Sequence, residues 1–169
     1  MERLRGIVLS TAVLLLAAFS LCACSGRSLS DYRQGQLRAV VLLSDGRAEI
    51  KAEIISEAPT DGGDRSVRMT FISPDALLDV MLCDDGERYI AYKDMRIDGA
   101  GMEYLFEWLD MIFPVGELRY MGKGSADGVP TYNALVNDCS IYLDRSTCAP
   151  VRIEKGSRTV VFERVEVGV

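Results

Sequence analysis

Short runs of alternating apolar and polar residues follow one another along most of the chain. In the clearest run, between residues 48 and 54, every second residue is alanine or isoleucine and the others are charged. A period of two places the apolar side chains on one face of a β-strand and the charged side chains on the other. Turn signals such as Asp45-Gly46 separate these runs and indicate tight hairpins. The pattern predicts nine or ten short strands in an antiparallel sheet. They lie at residues 36–44, 48–54, 67–71, 76–83, 88–92, 117–123, 131–136, 139–143, 151–155 and 158–167, with a short further leg at 95–97.

One segment has helical spacing instead. Between Gly101 and Phe113 the apolar residues recur every three or four positions, and Pro114 then ends the run. Acidic residues leave only a narrow polar stripe, so this helix is apolar over most of its circumference. Such a helix must be enclosed by other elements. We therefore expect a mainly β (α+β) fold in which the sheet curls around one main helix.

The N-terminus predicts export. Arg3 and Arg5 precede a short apolar run that is typical of a secretory signal peptide. The run is too short for a comfortable membrane span, which leaves a permanent span as the weaker alternative. It ends in Leu21-Cys22-Ala23-Cys24, which resembles the bacterial lipobox. By that resemblance, residues 1–23 are a lipoprotein signal peptide and Cys24 becomes the diacylated (palmitate-bearing) first residue of a membrane-anchored protein. Cleavage by ordinary signal peptidase is the alternative. Residues 24–35 then form a lipidated, flexible tether before a domain at 36–169.

Three local features of that domain carry a family resemblance. They are the stretch 71–77 with the following Asp85-Gly86 hairpin, the aromatic helix, and a closing segment from Gly128 to a terminal strand that passes through a leucine, aspartate, turn, proline hairpin. In this order they resemble the LolA/LolB-like half-barrel superfamily, which includes the LppX/LprG lipoproteins and the germination lipoprotein GerS. The resemblance implies a curved antiparallel half-barrel whose concave face can hold acyl chains or a lipoprotein.

The chain is shorter than a typical carrier of this kind, which leaves two interpretations of its apolar residues. They line a pocket for an apolar ligand held by burial, or they fill the half-barrel as an ordinary core. The candidates are Met69, Phe71, Leu105, Phe106, Trp108 and Met111.

The amino-acid composition excludes several classes of catalytic and binding site. The 169 residues include no histidine, and the net charge is −6 without a basic cluster. Histidine-dependent catalysis and histidine metal sites are therefore excluded, and nucleic acid is not an expected partner. The acidic groups near Asp85 and Asp61 are typical of solvated turns. We expect no enzyme activity, no metal and no cofactor.

Cys83, Cys139 and Cys148 remain after lipidation of Cys24. One disulfide among the three is compatible with an exported protein, and three buried thiols are the alternative. If residues 144–147 form a four-residue loop, Cys148 lies opposite Leu143, which disfavours a bond to Cys139.

Two functions remain open. The first is a membrane-anchored carrier of an acyl lipid or lipoprotein in the cell envelope. The second, which the germination-lipoprotein resemblance implies, is an assembly module that docks an envelope protein. A cavity beside Trp108 would favour the carrier, and a filled core with an exposed sheet edge would favour the docking module.

Overall fold

The computed structural model describes residues 31–59 and 65–168. Its elements, in chain order, are the helical turn α1 (Asp31–Gln34), the strands β1 (Leu37–Ser44), β2 (Glu49–Glu57) and β3 (Ser66–Ser73), a 3₁₀ turn (Asp75–Leu77), the strands β4 (Met81–Asp84), β5 (Arg88–Tyr92) and β6 (Met95–Asp98), the helix α2 (Glu103–Ile112), and the strands β7 (Arg119–Ala126), β8 (Val129–Val136), β9 (Cys139–Asp144), β10 (Pro150–Lys155) and β11 (Arg158–Val167).

All eleven strands belong to one curved, open, antiparallel sheet with the order β6-β5-β4-β3-β2-β1-β11-β10-β9-β8-β7. Strands β1 to β6 form one meander and strands β7 to β11 form another. The two meanders join through β1 and β11, where Leu37 lies opposite Val167. Helix α2 connects the two outermost strands along the chain. The predicted half-barrel around one main helix is confirmed, with eleven strands instead of nine or ten because residues 95–98 form a full strand.

The core lies between the inner face of the sheet and α2. Alternate residues of the central strands are fully buried, among them Val41, Ile54 and Val160. The helix buries Phe106, Leu109, Met111 and Ile112 against them. These helix residues and the buried residues of the strands form one hydrophobic cluster, so α2 packs against the inner face of the sheet.

One predicted strand is wrong in its first half. Residues 76–80 are not extended: the 3₁₀ turn is held by hydrogen bonds from the Leu77 N–H to the Pro74 carbonyl and from the Leu78 N–H to the Asp75 carbonyl. Asp79 then has a φ of 64°, which lies outside the β region. The strand therefore begins only at Met81. The predicted helix 101–113 is confirmed with slightly shorter bounds.

Part of the segment assigned to the flexible tether is folded. Residues 31–34 form α1, and Tyr32 is completely buried in the core. Burial of this aromatic ring offsets much of the entropy lost in ordering the turn, and residues 31–34 belong to the folded domain. The signal peptide and Cys24 lie outside the described residues. Within those residues, the helices are too short or too polar to cross a bilayer.

Candidate functional site

The six predicted pocket residues lie together, but mainly as core. Met69, Phe71, Phe106 and Met111 are at most 5% exposed. Leu105 and Trp108 are partly buried and pack against the same cluster. All six side chains belong to, or pack against, one continuous hydrophobic cluster of the described chain. The arrangement supports the core interpretation over the pocket.

Arg88 on β5 holds one side of α2. Its guanidinium donates to both carboxylate oxygens of Asp110 on the helix and, through Nε, to Asp84 at 2.9 Å. Its carbon Cζ also lies 5.4 Å from the ring centre of Phe106, within the range of a cation–π contact. The hydrogen bonds to Asp110, ahead of other causes, raise the pKa of Arg88. One side chain thus contacts both the polar stripe and the buried face of the helix.

Arg158 on β11 holds the opposite side of α2 in the same way. It forms an ion pair with Glu107, and its Cζ lies 5.5 Å from the ring centre of Trp108. The helix is therefore flanked by two arginines that come from different meanders of the sheet. We refer to Arg88 and Arg158 as the arginine clamp.

Gly99 permits the close approach of β5 and α2. Its N–H donates to the Arg88 carbonyl at 2.9 Å. A Cβ atom at this position would lie 2.6 Å from that carbonyl oxygen and 2.9 Å from Cε2 of Phe106, both far inside van der Waals contact. Sequence analysis missed this residue, because a single glycine before a helix looks like any other turn.

The cysteines are distributed over the sheet. Cys83 on β4 and Cys139 on β9 are buried free thiols. Burial raises the pKa of the Cys139 thiol. Cys148 lies in the turn after β9, where its N–H donates to the Asp144 carbonyl at 2.8 Å.

The turn that holds Cys148 lies one residue later than the expected loop. Strand β9 continues to Asp144, whose N–H donates to the Ala149 carbonyl at 2.8 Å. Pro150, and not Cys148, therefore lies opposite Leu143.

The two outermost strands carry most of the exposed apolar side chains near the sheet. On β6, Met95 and Ile97 are 56% and 46% exposed. On β7, Tyr120 and Met121 are 49% and 59% exposed. Within the described chain each of these strands has a neighbour on one side only. Exposed apolar side chains beside an unpaired strand edge are a common setting for strand addition by a partner.

Two open grooves on the surface have both polar and apolar walls. One of about 700 Å³ lies between β5, β6 and the start of α2, with Glu87, Arg96, Asp98 and Glu103 among its lining residues. Another, of about 720 Å³, lies near α1 and the end of α2. Trp108 lines neither groove. Residues 31–59 and 65–168 contain no group of three or more carboxylate or thiol residues that would hold a metal ion.

Solved structures with a similar fold are known, although their sequences differ from this one. No family model matches the sequence, and no curated protein matches it significantly. A conserved protein from Thermus thermophilus aligns with a TM-score of 0.55 and 10% identity over 83% of each chain. The crystal structure of MucB aligns with a TM-score of 0.50 and 16% identity over 83% of this chain and 56% of that one. The LolA superfamily protein NE2245 from Nitrosomonas europaea aligns with a TM-score of 0.37 and 9% identity over 80% and 87% of the two chains.

These likenesses concern the fold alone, since all three identities are far below 25%. The chain spans little more than half of MucB, so it corresponds to one part of that protein. The curved antiparallel sheet around one helix is the shared architecture. The chain shares this architecture with the Thermus thermophilus protein and with part of MucB, and it has the half-barrel that the sequence resemblance implied.

Proposed function

We propose that this protein is a non-catalytic binding protein of the bacterial cell envelope that docks an extended segment of a partner protein along the free edge of β7. The observation that carries the proposal is the combination of a filled inner face with an exposed, one-sided strand. Phe106, Met111 and Met69 occupy the space in which a carrier would hold its ligand. A partner would therefore bind at the outer surface of the molecule.

Strand β7 suits strand addition better than β6. It has eight residues, whereas β6 has four, and each further residue offers another backbone donor or acceptor to an incoming strand. Its exposed Tyr120 packs edge-to-face on Tyr132 with ring centres 6.1 Å apart. This aromatic pair provides an ordered apolar surface beside the edge.

The charge of β7 indicates the kind of segment that would bind. Arg119 and Lys123 are its only charged residues, while the whole chain is acidic. A partner strand that alternates apolar and acidic residues would complement both the exposed apolar side chains and the positive charge of β7. A bulge at Met121 interrupts the pairing of β7 with β8 and discourages indiscriminate sheet growth.

MucB lends support from a distant structure of the same fold. It has been crystallised in complex with MucA(peri) and aligns with this chain at a TM-score of 0.50. A protein that contains this fold can therefore bind a protein partner.

The docking proposal is tested by site-specific photo-cross-linking in living cells. A photoreactive residue at position 121 on β7 should give one discrete adduct, while the matched position 95 on β6 should give none. Met95 is the control because it is an equally exposed methionine on the other edge strand. Adducts from position 95 alone, or equal labelling at both positions, would contradict docking on β7.

A second candidate function is the carriage of an apolar ligand, favoured by the inner face at β6. Met95 and Ile97 lie opposite Tyr92 and Ile90, so they extend the apolar inner face beyond the part that α2 covers. An acyl chain could lie along this strip. Met95→Lys should abolish such binding and leave partner docking intact, whereas Met121→Lys should do the reverse.

We further propose that a lipid on Cys24 anchors the protein to the membrane, with more than one acyl chain needed for stable retention. The support is the lipobox-like sequence Leu21-Cys22-Ala23-Cys24. Cys24→Ala should move the protein from the membrane fraction to the soluble fraction, and mass spectrometry of the wild-type N-terminus should show the acyl groups. An unmodified Cys24, or unchanged fractionation of the variant, would contradict the anchor.

A further inference from the structure

The groove near α1 contains two arginines from distant parts of the chain. Arg33 lies on α1, and Arg65 lies directly before β3. Both line the groove of about 720 Å³, together with the apolar side chains of Val67, Leu109 and Phe113. Two guanidinium groups thus face a space whose wall is otherwise partly apolar.

Both guanidinium groups are held in place but incompletely bonded. Nη1 of Arg33 donates to the carbonyl oxygens of Pro114 and Gly116, each at 3.0 Å. Cζ of Arg65 lies 4.7 Å from the ring centre of Phe113. Yet Nε of Arg33 and Nη1 of Arg65 are buried, and neither has a hydrogen-bond partner in the described chain. A buried donor without an acceptor costs about 1–3 kcal/mol, so both guanidinium groups keep hydrogen-bonding capacity that the described residues do not use.

A third unpartnered group lies close to them. The ring of Tyr32 is fully buried, and its hydroxyl has no hydrogen-bond partner among the described residues. Burial raises the pKa of Tyr32, and the charges of Arg33 and Arg65 both act on it. The hydroxyl is therefore a neutral donor within electrostatic range of both arginines.

The positive charge of this cluster is not paired with a carboxylate of the described chain, since neither Arg33 nor Arg65 forms an ion pair with one. Arg88, which lines the same groove, is by contrast paired with Asp84 and Asp110. Burial, and then the nearby charge of Arg33, lower the pKa of Arg65. Two cations that repel each other in a partly buried site are stabilised by an anion between them.

We propose that this groove is a binding site for an oxyanion of the phosphate class, held by Arg33 and Arg65. The guanidinium fork matches the oxygens of phosphate and can donate two parallel hydrogen bonds to them. The apolar wall beside it leaves room for an organic substituent. Free phosphate and the phosphate of a lipid headgroup share this chemistry.

The first experiment uses inorganic phosphate. Its affinity for the purified protein is measured by calorimetry at constant ionic strength, and the melting temperature is followed in parallel because a ligand of the folded state raises it. Arg65→Gln should weaken phosphate binding at least tenfold. Arg68→Gln should leave it within about twofold: Arg68 is exposed on β3, which begins directly after Arg65, and its loss changes the net charge equally.

Further arms identify the source and exclude an internal ligand. If the ligand is a lipid headgroup, wild-type protein should sediment with phosphatidic acid vesicles more than with phosphatidylcholine vesicles, and Arg65→Gln should reduce that difference. If Arg65→Gln reduces only the binding of free phosphate, the site binds the soluble anion. Arg33→Gln serves as a second variant, checked for native circular dichroism. Equal effects of Arg65→Gln and Arg68→Gln overturn the proposal. The proposal is also overturned if the protein binds phosphate only after Asp61→Asn and Asp64→Asn. In that case the carboxylates of Asp61 and Asp64, and not an external anion, would pair with the two arginines.

Discussion

At the scale of single residues, the apolar positions of α2 have unequal roles. Phe106 is fully buried, contacts Arg88 and leaves no space for a Cβ on Gly99. From the sequence, Trp108 is one of six apolar residues that either line a ligand pocket or form the core. In the structure it is only partly buried and lies beside Arg158. Burial depends on the curve of the sheet, which the spacing of α2 alone does not specify.

Phe106→Ala tests the core interpretation at this scale. Removing a fully buried aromatic ring should lower the free energy of unfolding by about 3–5 kcal/mol, because the cavity cannot fully collapse. Tyr104→Ala is the matched control on the same helix: with 63% exposure, it should cost less than about 0.5 kcal/mol. Urea unfolding measures both. A Phe106→Ala protein of wild-type stability that had lost apolar-ligand binding would favour the pocket instead.

At the scale of elements, the strands could be predicted where alternation was regular and turn residues were explicit. Strands β2 and β9 follow their predicted ranges closely for this reason. The segment before β4 could not be predicted, because an apolar run such as 76–83 suits a strand and a compact turn equally. Of the candidate site, the sequence identified the apolar residues. It could not identify the arginine clamp or the Arg33 and Arg65 groove, because each combines residues from elements far apart in the chain.

The arginine clamp allows a test of what holds α2 in the half-barrel. Its two ion pairs with α2 are well exposed to solvent, with side-chain exposures between 34% and 51%, and such pairs contribute about 0–1 kcal/mol each. Arg88→Met with Arg158→Met should therefore lower the free energy of unfolding by roughly 1–2 kcal/mol, less than Phe106→Ala. The difference from wild type should shrink in 1 M NaCl, because salt screens exposed charges.

The control for the clamp is Arg96→Met. Arg96 also pairs with a carboxylate and stacks on a tyrosine, but its partners are Glu87 and Tyr89, neither of which belongs to α2. Its replacement should have a smaller effect than the double replacement. A loss in the double variant as large as that of Phe106→Ala, and unchanged by salt, would mean that charge and not apolar burial positions the helix.

At the scale of the whole molecule, the topology explains how a short chain makes an ordered half-barrel. Two hairpin meanders meet only at β1 and β11, and α2 passes from the outer edge of one to the outer edge of the other. Helix and sheet therefore enclose a shared core although the sheet stays open and its two edge strands do not pair with each other. The same topology leaves two free edges in the described chain, and four of the five exposed large apolar side chains that lie on strands are on these two edge strands.

The filled core makes a prediction for the intact protein that separates a docking module from a carrier. The mature chain with Cys24→Ala, purified from the envelope without detergent, should give a native mass with no bound lipid, and its mass should not change when fatty acids or phospholipids are added. The physical reason is that α2 already buries Phe106, Met111 and Ile112 where acyl chains would lie, and displacing it would expose these side chains to water at about 25 cal/mol per Å². If the protein did bind phospholipid and the Arg65→Gln variant did not, the lipid would be bound in the groove at Arg33 and Arg65. If bound lipid were absent only from the Met95→Lys variant, it would lie on the apolar strip at β6. Stoichiometric acyl lipid that resists both replacements would require α2 to move out of the half-barrel, and would make the protein a carrier.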